Sequence, residues 1–299
     1  MKNLICVAVA ALALLGWRAE ARAEAVQIRH GGLALNGNLA LADAKTVKDG
    51  MVLITHGTLA HNGMEIIKAM QAGLAERGLS SLAITLSLGL DNRQGMYDCA
   101  VPHRHRHADA LDEIGAWVGW VKGQGASRLV LMGHSRGGAQ TAWYAAERAD
   151  ASVSKVVLLA PATWEEKAEQ AQYQARYGTP LAAPLAKAAA LVKAGKPAEM
   201  MAATDFIYCP KATVAAGSFV GYYQPEPRLG VMASLPRIKV PTLVVAAAQD
   251  EVVKGLPEAV KPLADAGRVK LVTIPNADHF FLDLAADDAA DAIKEFVAQ

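Results

Sequence analysis

The stretch Leu129-Val130-Leu131-Met132-Gly133-His134-Ser135-Arg136-Gly137-Gly138 decides how this chain folds. Four apolar residues form a short buried strand. The Gly-x-Ser-x-Gly spacing that follows is a sharp turn, and a helix starts at the serine. Such a turn strains Ser135 and leaves no room for a β-carbon at Gly133 or Gly137. It pushes the Ser135 hydroxyl outward at the edge of a sheet. One oxygen atom is thereby singled out as a candidate nucleophile.

On both sides of this turn, strands alternate with helices. Met51–Thr55, Leu82–Leu86, Val156–Leu159, Thr242–Ala247 and Val269–Ile274 are short apolar runs of strand length. Between them, Ile66, Ile67, Met70 and Leu74 recur at helical spacing, and Gly78 fits a helix stop. A second helix spans His107–Val121, a third runs from Ser135 to about Ala149, and Ala285–Val297 closes the chain. Residues 26–41 read as one or two antiparallel strands with turns at Gly31-Gly32 and Asn36-Gly37. The alternation predicts an α/β fold with a mostly parallel central sheet covered by helices on both faces. Residues 162–237 interrupt it. An insertion of that length, with a helix over Trp164–Tyr177, predicts a helical cap over the sheet edge within one domain spanning 24–299.

The amino terminus has the shape of a cleavable leader. Lys2 is followed by the apolar run Leu4–Leu15, too short to span a bilayer, and Ala21-Arg22-Ala23 fits a cleavage site before Glu24. An uncleaved anchor is the competing reading, opposed by Trp17, Arg18, Glu20 and Arg22. A leader over 1–23 predicts a periplasmic or secreted protein. Residues 1–23 hold three of the 30 basic and one of the 29 acidic side chains, so the remainder has a formal charge of −1. That balance points away from nucleic acid and from anionic lipid. Cys99 and Cys209 remain, either as a disulfide or as two buried thiols.

A serine hydroxyl attacks only when a base removes its proton and a third group orients that base. Ser135, Asp250 and His279 occur in that order. Asp250 follows the strand at 242–247, and His279 follows the strand at 269–274. In a parallel sheet all three fall at the same carboxyl edge, where open α/β sheets bind ligands. An oxyanion would need preorganised donors. The Arg136 N–H, beside the serine, and the Thr58 N–H, in the turn His56-Gly57-Thr58, fit that role. Asp278 is the rival acid, but its adjacency to His279 gives it poor reach to the far ring nitrogen.

With His56-Gly57, Gly133–Gly138, Pro241–Asp250 and Asp278-His279-Phe280 in place, the chain strongly resembles the α/β-hydrolase superfamily of serine hydrolases over roughly 50–161 and 238–299. The resemblance implies Ser135 as nucleophile, His279 as base, Asp250 as acid, and Thr58 and Arg136 as oxyanion donors. It implies a carboxylic ester hydrolase acting on a small-molecule substrate through an acyl-enzyme, with no metal or organic cofactor. The same triad would serve an amidase or peptidase. A non-catalytic ligand-binding protein on this fold is a further alternative, opposed by the presence of all three residues. Ala247-Ala248 departs from the family, which commonly has a glycine shortly before the acid.

Two patches stay open. His103-Arg104-His105-Arg106-His107 would set three imidazoles on one face if extended, which could hold a metal. A solvated loop is preferred, with Arg104 or Arg106 available to attract an anionic part of a substrate. Phe206, Tyr208, Phe219, Tyr222 and Tyr223 either line a substrate pocket, Tyr222 foremost, or form the core of the cap. Oligomeric state is not legible in the sequence.

Overall fold

A computed structural model describes residues 23–299. The expected leader therefore lies outside the described residues, apart from Ala23, which opens the first strand. The strands are β1 (Ala23–His30), β2 (Leu33–Ala40), β3 (Met51–Thr55), β4 (Ser81–Thr85), β5 (Leu129–His134), β6 (Val153–Leu159), β7 (Met200–Phe206), β8 (Cys209–Ala215), β9 (Thr242–Ala247) and β10 (Lys270–Ile274). The α-helices are α1 (Glu65–Glu76), α2 (Asp109–Gly123), α3 (Arg136–Glu147), α4 (Glu166–Tyr177), α5 (Ala182–Lys193), α6 (Ala216–Tyr223), α7 (Leu256–Asp265) and α8 (Leu284–Ala298).

Eight strands form one sheet in the order β1-β2-β4-β3-β5-β6-β9-β10. The pairs from β4 to β10 are parallel, while β1 and β2 join antiparallel at one edge. Alternation along each central strand divides the core. Leu53 and Leu131 face one layer with Leu111, Ile114 and Trp143, whereas Ile54 and Met132 face the other with Ile67, Met70 and Ile293. Helices α1 and α8 cover this second face. Helices α2, α3 and α7 cover the first.

Only one of the two turns expected in 26–41 forms. Gly31 and Gly32 turn the chain with positive φ, but Asn36-Gly37 lies inside β2. A β-carbon on Gly37 would stand 2.9 Å from the Trp117 ring, so the glycine makes room for that buried indole.

The segment after β6 holds α4, α5 and α6 and also a β-hairpin, β7–β8, so its architecture is not purely helical. Bulges break the hairpin register, and Pro210 lies in β8, which dilutes the alternating pattern that would have marked strands. Phe206, Phe219, Tyr222 and Tyr223 are buried together as the core of this unit, and Tyr208 alone of the five stays exposed. Residues 227–237 return as short 3-10 turns, with Val231 and Leu235 in the core of the main sheet. Cys99 and Cys209 are joined as a disulfide. It ties the loop before α2 to the hairpin.

Candidate active site

The turn after β5 is built by exclusion. A β-carbon at Gly133 would lie 2.4 Å from the Gly137 carbonyl oxygen, and one at Gly137 would lie 2.1 Å from that of His56. Ser135 sits at φ 55°, ψ −125°, in the positive-φ region that non-glycine residues avoid. Strain of this kind costs about 1–3 kcal/mol and persists only where neighbours hold it. Here the Ser135 N–H donates to Leu159 O at 3.0 Å, while Ser135 O accepts from Gly138, Ala139 and Ala162 N–H groups.

Two loops bring the partners. The Gln249 N–H donates to Ala277 O at 2.9 Å and the Ala248 N–H to Ile274 O at 3.1 Å, so the β9–β10 pairing continues into the loops carrying Asp250 and His279. Neither Ala247 nor Ala248 has a positive φ, which is why no glycine is needed there. His279 Nδ1–H donates to Asp250 Oδ2 at 2.8 Å, and His279 Nε2 stands 2.9 Å from Ser135 Oγ. Because the carboxylate can only accept, Nδ1 carries the proton and Nε2 is free to accept from the serine. Asp250 Oδ1 takes the Val252 and Val253 N–H groups at 2.8 and 2.7 Å. Burial pushes the Asp250 carboxyl up. The His279 hydrogen bond and those amides outweigh it and hold the group below its ordinary value. Asp278 instead caps the Phe280 N–H and does not bond the imidazole.

The turn after β3 packs on the serine, since a β-carbon on Gly57 would lie 3.3 Å from Ser135 Cβ. Arg136 Nε donates to Thr58 Oγ1 at 3.0 Å and so bridges the two expected oxyanion donors. Behind the turn, buried Arg93 donates to Ala60 O, Leu86 O and Gly95 O. His56 Nδ1–H donates to Gly57 O at 2.8 Å, and its Nε2 accepts the Leu86 N–H at 3.0 Å. Burial, with the Arg93 charge, pushes the His56 pKa down to about 3, so it is a neutral strut. His134 Nε2–H donates to His279 O at 2.9 Å, and burial lowers its pKa to about 4. Nothing in the sequence marked Arg93, or the side-chain duties of Arg136 and His134. All three act on backbone carbonyls or hydroxyls that only the fold brings near.

The expectation of a solvated 103–107 loop needs correction. His103, His105 and His107 are buried, because the His103 backbone pairs with Thr213 and Ala215 and extends the hairpin. Burial lowers all three imidazoles, His103 to about 4 and His105 to about 3. Among the described residues no group of side chains has the arrangement of a metal site. Arg104 and Arg106 alternate with these histidines and are exposed to solvent. Arg106 is paired with Asp109. Tyr222 is buried, with its hydroxyl 2.8 Å from His105 Nδ1 and its ring 5.4 Å from the Arg136 guanidinium carbon. A cleft of about 460 Å³ near Lys45, Ser80 and Lys294 lies at the amino ends of the strands, remote from Ser135, and holds no serine–histidine pair.

Comparison with known proteins agrees with this fold. The profile of the "Alpha/beta hydrolase family" matches residues 51–294. No curated protein matches in sequence. Among solved structures, the chain is similar to Est1E from Butyrivibrio proteoclasticus, with 22% identity and a TM-score of 0.61 over 92% of this chain and 99% of that one. A second Est1E structure carries bound ferulic acid. The esterase Pf2001 from Pyrococcus furiosus is similar at 17% identity and TM-score 0.59, covering 93% of this chain and 90% of that one. A serine hydrolase homologue from Coxiella burnetii follows at 18% identity and TM-score 0.54, over 92% and 95%. At these identities the structural likeness bears on fold alone.

Proposed function

The chain belongs to the alpha/beta hydrolase family, and from that premise we propose that it is a serine esterase cleaving a small-molecule ester through an acyl-enzyme. The observation that carries the reading is the unbroken chain from Ser135 Oγ through His279 to Asp250, at 2.9 and 2.8 Å. Ser135 Oγ adds to the ester carbonyl as His279 Nε2 takes its proton, and Asp250 stabilises the imidazolium. The oxyanion is held by the Thr58 and Arg136 N–H groups. His279 then returns the proton to the leaving alkoxide, which departs as the alcohol. Water, deprotonated by the same imidazole, attacks the acyl-enzyme and releases the acid and the free serine.

Ser135→Ala is expected to lower hydrolysis of a short-chain aryl ester by a factor on the order of 10⁴–10⁶ while the circular dichroism stays native. Undiminished turnover would refute the nucleophile. Matched aryl esters and anilides separate an esterase from an amidase. A fluorophosphonate that leaves Ser135 unlabelled would favour a binding protein.

We infer further, from the leader-like sequence over 1–23, a periplasmic or secreted protein, a reading that the Cys99–Cys209 bond supports. Protein recovered there should begin at Glu24; recovery with Met1 retained counts against export by cleavage.

A further inference from the structure

Arg136, the residue after Ser135, lines a small recess together with residues of the unit above the sheet. Helix α4 lays Glu169, Gln172 and Arg176 along one wall at i, i+3, i+7 spacing, and Tyr208, Tyr222 and Tyr223 close the others. The recess holds about 40 Å³. That is room for a carboxylate-sized group in place of two or three waters, and too little for an aromatic ring.

Part of its donor capacity is unspent. The Tyr222 hydroxyl is engaged with His105, and the Tyr223 hydroxyl accepts the Ile207 N–H. Arg136 uses Nε on Thr58 and one terminal nitrogen on His107 Nδ1 at 3.4 Å. Arg176 uses one terminal nitrogen on Ile207 O and stacks 4.3 Å from the Tyr208 ring centroid. Among the described residues neither guanidinium is ion-paired with a carboxylate, in contrast to Arg77, Arg106, Arg148 and Arg228. Glu169 is the one carboxyl facing the recess, so two guanidinium groups leave an excess of positive charge. Burial also raises the pKa of Glu169. Planar, two-pronged donors of this kind match a carboxylate.

Arg136 follows Ser135 directly in the chain, and its Nε donates to Thr58 Oγ1 at 3.0 Å. One side chain thus links the turns carrying Ser135 and Thr58 to the recess. We propose that this recess is a carboxylate subsite, and that the preferred substrates are esters whose acyl part ends in a free carboxylate. The inference rests on the esterase reading above and adds the substrate class to it.

The test compares 4-nitrophenyl hydrogen adipate with neutral 4-nitrophenyl 6-methylheptanoate, in which an isopropyl group replaces the carboxylate. The charged ester should have the higher kcat/KM by about ten-fold or more, and added salt should shrink that advantage. The ratio of the two should fall toward one in Arg176→Gln, whose side chain is exposed, and in Arg136→Met, with native circular dichroism checked for each. It should widen in Glu169→Gln. Reading a ratio separates the subsite from any general loss through the Thr58 contact. Equal turnover of both esters by the wild type, or a ratio unmoved by Arg176→Gln and Glu169→Gln, overturns the subsite and leaves the esterase intact. Turnover of neither ester overturns the esterase reading, and the subsite with it.

Discussion

Two glycines on this chain face opposite constraints. Gly137 is pressed against the His56 and Thr55 carbonyl oxygens, at 2.1 and 2.7 Å from where a β-carbon would be. These are backbone atoms of a central strand and its exit turn, so they cannot yield without moving the turn after β3. Gly119 lies on the exposed face of α2 with nothing within 4 Å of that position. Gly137→Ala should therefore cost about 3 kcal/mol or more by overpacking, whereas Gly119→Ala should stabilise by about 0.5–1 kcal/mol through helix propensity. Urea unfolding midpoints check both, and a tolerated Gly137→Ala would show that the turn is looser than described. At this scale much was legible. Ser135, Asp250 and His279 are recognisable from residue type and order alone. Arg93 is not, because a buried guanidinium on three carbonyls leaves no pattern along the chain.

Among the elements, the main sheet and the unit above it differ in what holds them. The strands β3, β5, β6 and β9 are buried throughout or nearly so, and they announce themselves as continuous apolar runs. The hairpin β7–β8 is half exposed and bulged, and its partner is a loop a hundred residues earlier in the chain, joined at His103 and Thr213. The disulfide closes 110 residues between those two pieces. A loop of that size restricts the unfolded chain enough to contribute about 2–5 kcal/mol. Replacing Cys99 and Cys209 by Ser should lower the thermal midpoint. Limited proteolysis should then cut first within 200–215, ahead of any cut in β5 or α3. Cleavage that begins in the main sheet would contradict this division. The same weak periodicity explains why the hairpin escaped the sequence reading, which foresaw only helices there.

For the whole molecule, the count of buried neutral histidines governs behaviour in acid. His56 and His105 are held at about 3, His103 and His134 at about 4, and His107 well below its ordinary value, in each case first by burial. In the unfolded chain each titrates near 6.5. Below that pH the unfolded state takes up protons that the folded state refuses, so stability is complete above about 6.5 and falls as pH drops toward 4. Each histidine contributes a slope of up to about 1.4 kcal/mol per pH unit inside that window. Urea midpoints measured from pH 7.5 to 4.5 should decline steadily below 6.5. A flat profile would mean that these imidazoles are solvated.

The order of apolar runs and the spacing around Ser135 carried the parallel sheet and the strained turn, because each is written in neighbouring residues or in a period of two or 3.6, and the sheet's common carboxyl edge then brought Ser135, Asp250 and His279 together. Other features depended on the folded chain: the inward turn of His103, His105 and His107, the pairing of Cys99 with Cys209, and the side-chain partners of Arg136. Each of these joins segments tens of residues apart or more, and whether a polar group there is buried or solvated depends on what packs over it. A contact between distant segments leaves no local period, so it becomes visible only when the chain has closed on itself.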